Sequence, residues 1–158
     1  MSHEQFPDDP PMAWTSSPTL LYESPSLAIL AYQCADWSVV RVAGELDMRV
    51  EPGLHRAFSG ISPRIVFDLR RVTFVDASGL RLLLRGHQTA QAMNGYARVA
   101  APSPCVRRVF AIVHLDTILP VFDTLNEALE EPATTATLAR PLVPRTRRHE
   151  AEDALGEG

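Results

Sequence analysis

The sequence contains no lysine: all 15 basic residues among its 158 are arginine. Nineteen acidic residues outweigh them, for a net charge of −4. The one basic cluster, Arg145, Arg147 and Arg148, sits near the C-terminus. Nucleic-acid affinity rests largely on phosphate neutralisation, so this chain has little electrostatic support for it. Arginine in place of lysine fits the codon bias of a GC-rich bacterial genome. Cysteine is also scarce. Cys34 and Cys105 lie far apart and form no CxxC pair, which argues against a disulfide framework or thiolate metal site and fits a reducing compartment. No apolar run approaches the roughly 20 residues that span a bilayer. The first residues, MSHEQFPDDPPMAW, lack a basic n-region and an apolar h-region, so no signal peptide is expected. A cytoplasmic protein without a membrane span is expected.

Catalytic signatures are missing too. Neither G-x-x-x-x-G-K-[ST] nor G-x-G-x-x-G occurs. His55, His87 and His114 show no H-x-x-x-H spacing. Around Ser78 the sequence is Asp76-Ala77-Ser78-Gly79-Leu80, not the G-x-S-x-G of a nucleophile elbow. No catalytic residue, metal or cofactor is expected.

What is present is an ordinary globular mixture, 46% hydrophobic and 22% charged, at a length that suits one domain. Residues 1–18 carry Pro7, Pro10, Pro11 and Pro18 among acidic residues. Residues 132–158 carry Pro132, Pro141 and Pro144 and end PRTRRHEAEDALGEG. Both segments bury too little to offset chain entropy and are expected to be disordered tails. The domain is expected over 19–131.

Within it, strands alternate with helices. SLAILAYQ (26–33) and WSVVRVAGEL (37–46) read as a strand pair. Residues 48–60 read as a helix with Asp47 as its cap. RIVFDL (64–69) is apolar on both faces, as a central strand would be. LRLLLRGHQTAQAMNG follows Ser78 with Leu80, Leu83, Leu84 and His87 on one helical face, and Asn94-Gly95 stops it. ARVAA (97–101) is a strand, and Ser103-Pro104 opens a helix with serine as cap. ILPVF (118–122) is an edge strand because of Pro120, and Thr124 to Glu127 is a capping box. The order β-β-α-β-α-β-α-β-α predicts an α/β domain, a mixed sheet with helices mainly on one face.

The stretch FVDASGL, Phe74 to Leu80, runs from strand to helix. Ser78 there can be a helix cap, or a hydroxyl open to modification. A phosphate on it would sit near unpaired backbone N–H groups and the positive end of the helix dipole, and Gly79 adds no side chain to crowd it. Glu45 and Asp47 could suggest a carboxylate site, but solvation of Glu45 and capping by Asp47 explain them as well. Asp68 and Asp76 lie at or near strand ends, where such a site could form.

DLRRVTFVDASGLRLLL resembles the signature of STAS domains, in particular of anti-sigma factor antagonists. Gly44-Glu45-Leu46-Asp47, the helix Ser103 to Phe110 and the segment Phe122 to Leu129 resemble further family motifs in the same order. The likeness spans about residues 20–130. It implies a non-enzymatic protein that, unphosphorylated, binds an anti-sigma factor with serine kinase activity and so frees a sigma factor. It further implies phosphorylation on Ser78, which breaks the complex, and a serine phosphatase that restores it. Ala77 replaces the first serine of the family's D-S-S-G turn and leaves Ser78 as the only hydroxyl there. The implied partner surface takes in Asp47, Asp76, Ala77, Gly79, Arg81, Arg85, Ser103, Arg107 and Arg108. A second reading of the resemblance is a STAS binding module without a switch, in a stress-signalling scaffold or a lipid-transport complex.

Overall fold

The computed structural model describes residues 17–47 and 58–130. Two hairpins open the chain: Thr19–Ser24 (β1), Leu27–Cys34 (β2) and Trp37–Leu46 (β3) pair antiparallel in sequence. The β2–β3 turn is Ala35-Asp36, with Ala35 at φ 55°. A 3-10 turn, Phe58–Gly60, leads to Arg64–Val75 (β4). Then follow Ala77–Ala92 (α1), Tyr96–Ala100 (β5), Pro104–Val113 (α2), a 3-10 turn at Leu115–Thr117, Val121–Phe122 (β6) and Leu125–Leu129 (α3). The six strands lie in chain order, antiparallel from β1 to β3 and parallel from β3 to β6. The sheet is mixed, as expected.

The strand alternation divides the core in two. Ile29, Val40, Val42, Ile65, Phe67 and Val99 pack with Leu82, Leu83 and Ala90 of α1 and Val106 and Phe110 of α2. On the other face Tyr32, Trp37, Val39, Val66 and Ala100 pack with Leu125 and Ala128 of α3. Among the described residues the two longer helices therefore share one face, and the short α3 covers the other.

β4 is twice as long as the predicted 64–69 run, and the reason is physical. Its register against β3 slips between Arg41↔Asp68 and Ala43↔Arg71, and again between Gly44↔Val72 and Glu45↔Phe74. Each slip places one extra residue on β4, as a β-bulge does. Leu69, Val72 and Val75 thus stand three apart yet join the same core. The alternation that marks a strand is hidden by the bulges.

Other expectations shift as well. β1 is an added N-terminal strand that the predicted order lacked. The last strand shrinks to Val121–Phe122, because Leu119 donates its N–H back to the Leu115 carbonyl and closes a turn instead. The helix predicted over 48–60 falls outside the described residues up to residue 57, and Phe58–Gly60 forms a 3-10 turn. Most of the two predicted tails also lies outside them.

Candidate functional site

The parallel strands carry their C-terminal ends to one rim of the sheet, where α1 and α2 begin. In open sheets with parallel strands this is the rim that presents sites. β4 stops pairing with β5 at Asp68↔Ala100 but runs on to Val75. The α1 N-terminus therefore sits at the tip of an overhang that, among the described strands, pairs with β3 alone.

Asp76 starts α1. Its backbone is extended (φ −118°, ψ −172°), and its Oδ1 accepts hydrogen bonds from the N–H groups of Ser78 (2.9 Å) and Gly79 (3.0 Å). Such an aspartate cap satisfies two of the amides that a helix start leaves open. Asp76 N–H donates to the Leu46 carbonyl at 3.3 Å, and Leu80 N–H donates to the Asp76 carbonyl at 3.0 Å. Gly79 explains itself by packing. A Cβ there would lie 2.3 Å from the Leu46 carbonyl oxygen and 2.9 Å from side-chain carbons of Leu46 and Val75. Only glycine lets the first turn of α1 press against the end of β3.

Ser78 is thus the second residue of the helix and not its cap. Among the described residues its hydroxyl makes no hydrogen bond; it is half-exposed beside the exposed Ala77. The amides near it, expected to be unpaired, are already held by Asp76. This corrects the view that a phosphate would find them open.

The remaining predicted residues divide. Asp47, half-buried, directly follows β3 and shares the tip; the expected cap falls on a segment that lies outside the described residues. Arg81 is exposed and Arg85 half-buried along α1. Ser103 precedes α2, but its hydroxyl makes no cap. It donates to the Val72 carbonyl at 2.6 Å while its N–H donates to the Leu69 carbonyl at 3.2 Å, so Ser103 ties α2 to β4. Arg107 pairs with Asp123 at 3.2 Å just past β6, and Arg108 is exposed.

Asp68 is withdrawn from any carboxylate site. It is 1% exposed and accepts from Arg41 Nε at 2.8 Å. Among the described residues no three His, Cys, Asp or Glu side chains come together to hold a metal, and no helix is long and apolar enough to cross a membrane. One rim residue escaped the sequence reading. Phe74 is 49% exposed, opposite the exposed Glu45 in the register. Inside an apolar run it reads as core; only the second bulge turns it out.

Comparison with known proteins gives this rim a context. The chain is 31% identical over 68 residues to a TM1081 homolog from Thermotoga neapolitana, covering 43% of this chain and 60% of that protein, so it spans less than two thirds of that relative. The crystal structure of an anti-sigma factor antagonist from Mycobacterium paratuberculosis superposes with a TM-score of 0.59 at 32% identity, over 68% of this chain and 96% of that one. The anti-sigma factor antagonist SpoIIAA in its unphosphorylated form gives 0.56 at 28% identity, over 65% and 93%. The model of the STAS domain matches residues 28–128, and this chain belongs to the STAS domain family.

Proposed function

We propose that the protein is an anti-sigma factor antagonist switched by phosphorylation of Ser78. The observation that carries this is the unbonded, half-exposed Ser78 hydroxyl at a rigid helix start in a STAS fold. The likeness to two antagonist structures supports it. In this reading the unphosphorylated rim docks on an anti-sigma factor that is also a serine kinase, and the sigma factor is released. Phe74, Ala77 and Arg81 offer side chains to that contact, with Asp47, Arg85, Arg107 and Arg108 further out; Asp76, Gly79 and Ser103 hold the surface in shape.

Inactivation is then phosphoryl transfer. Ser78 Oγ attacks the γ-phosphorus of the kinase's ATP, the bond to the ADP oxygen breaks, and the hydroxyl proton leaves to solvent through the kinase. The product carries about −1.5 to −2 of added charge. Moving a complex from 99:1 to 1:99 takes about 5.5 kcal/mol of differential affinity. A dianion desolvated against a partner surface can supply that. A serine phosphatase hydrolyses the ester and resets the protein. The chain contributes a substrate hydroxyl and a docking surface, and the catalytic groups are the partner's.

The test combines labelling with two variants. Candidate anti-sigma kinases of the same organism are incubated with the protein and ATP, and the product is mapped by mass spectrometry. One phosphate on Ser78 is expected. Ser78→Ala should bind as tightly as the wild type and resist inactivation, whereas Ser78→Asp should bind at least tenfold more weakly (~1.4 kcal/mol). A kinase that binds but labels elsewhere, or equal affinity of both variants, would replace the switch with a passive STAS binding module.

A further inference from the structure

We propose that Asp76 is the positioning residue of this switch: its carboxylate occupies the two amides that would otherwise receive the Ser78 phosphate, so the phosphate is turned outward. This rests on the reading of Ser78 as the phosphorylated residue. A free helix N-terminus draws anions in, because its N–H groups and dipole favour negative charge. A phosphate on an ordinary first-turn serine would fold back onto those amides and be partly hidden. Here an anion is already installed. Asp76 Oδ1 holds Ser78 N–H at 2.9 Å and Gly79 N–H at 3.0 Å, and the next amide, of Leu80, is spent on the Asp76 carbonyl.

Asp76 is also hard to displace. Its own N–H is tied to the Leu46 carbonyl, and Gly79 is wedged against the same residue. The cap is therefore fixed from β3 as well as from α1. A phosphate added two residues on meets a carboxylate where amides would have been. Among the described residues the other charged groups of this rim are Glu45 and Asp47 at the end of β3 and Arg81 one turn along α1, and the carboxylate nearest to Ser78 in the chain is that of Asp76. Two outcomes follow. The phosphate's charge is not neutralised by the helix amides and stands on the outer surface, where a docking partner must desolvate it. Its second ionisation, ordinarily near pH 6, moves upward, because the last proton leaves against a neighbouring negative charge.

The experiment needs no kinase, so it fails or succeeds separately from the labelling test. Phosphoserine is installed at position 78 by genetic encoding, and the phosphorus resonance is titrated by NMR in the otherwise wild-type chain and in Asp76→Asn. Asparagine caps as well as aspartate, so α1 keeps its start while the charge is removed. The apparent pKa of the phosphate should be higher with Asp76 in place than in Asp76→Asn, by about half a unit for charges roughly 5 to 6 Å apart in a watery setting. In the wild type the Ser78 and Gly79 amide resonances should stay fixed through the phosphate titration. Equal or lower phosphate pKa in the wild type, or amides that follow the phosphate titration there, would show that the phosphate displaces the carboxylate and would overturn the proposal.

Discussion

Around Ser78 three neighbours divide the work, and each is chosen by a different force. Asp76 is there for its acceptor, Gly79 for its missing side chain, and Ala77 for leaving the surface clear. Gly79 gives the sharpest single-residue test, because two effects oppose each other. Alanine favours a helix over glycine by up to about 1 kcal/mol. Yet its Cβ would fall 2.3 Å from a backbone oxygen of Leu46, and backbone cannot rotate away as a side-chain tip can. Overpacking of this kind costs about 1–3 kcal/mol, so the clash wins. Gly79→Ala should lower stability in urea unfolding by about 1–2 kcal/mol and slow Ser78 labelling, as the first turn of α1 lifts off β3. A variant as stable as the wild type would mean that β3 and α1 can part freely, and that the rim is less rigid than described.

At the scale of elements, what could be read from sequence was whatever local periodicity and local chemistry determine. β2, β3 and α1 declare themselves by apolar spacing, and Thr124 caps α3 through Glu127 N–H at 3.1 Å, as its box predicts. What could not be read depends on distant partners. β1 is an edge strand with little buried surface, so its residues carry no clear alternation. The second half of β4 is masked by bulges that exist only against β3. The Ser103 hydroxyl has the right residue type for a cap and instead bonds a carbonyl thirty-one positions away. Ser78 was legible as a helix-start serine, but not the filling of its amides by Asp76. His87 shows the same limit on α1. It falls on the apolar face, yet only the structure shows its Nδ1 buried with no hydrogen-bond partner among the described residues. Burial lowers its pKa below the ordinary 6.5. The unfolded chain therefore takes up this proton first as pH falls, so the associated stability is present above about pH 6.5 and is lost as pH drops toward the lowered folded value. Between pH 7.5 and 5.5 the urea midpoint of the wild type should fall more steeply than that of His87→Gln. Parallel curves would mean that the ring is solvated when protonated.

Across the whole molecule the two sheet faces are stabilised differently. The α1–α2 face is mainly apolar, with the buried Nδ1 of His87 as a polar group on α1, while the α3 face buries charge. Arg98, 3% exposed, lies over the rings of Trp37 (4.8 Å), Phe122 (5.2 Å) and Tyr96 (5.3 Å) and donates from Nη1 to the carbonyls of Ala128 (2.6 Å) and Glu130 (3.0 Å). Burial lowers its pKa, but a guanidinium remains charged at any ordinary pH, so it holds the end of α3 against the sheet as a cation. Arg41 and Asp68 form the second buried element, in register across β3 and β4, with the other Asp68 oxygen accepting from the Arg70 N–H at 3.2 Å and lying 3.7 Å from Arg70 Nε. A buried pair adds little net stability over apolar residues, but breaking it strands a charge, at a cost of about 3–5 kcal/mol. Asp68→Ala should therefore be severely destabilised in urea, and Arg41→Met combined with Asp68→Leu should recover most of the loss. A double variant as unstable as the sum of its singles would assign the loss to packing rather than to the stranded charge. The pair also lies on the face away from α1, so the recovered double variant should still be labelled on Ser78 at the wild-type rate. The hydroxyl, its cap and its glycine wedge depend on Leu46 and Val75, which belong to the other core. Slow labelling in a well-folded double variant would show instead that the charged face reaches through the sheet to the rim.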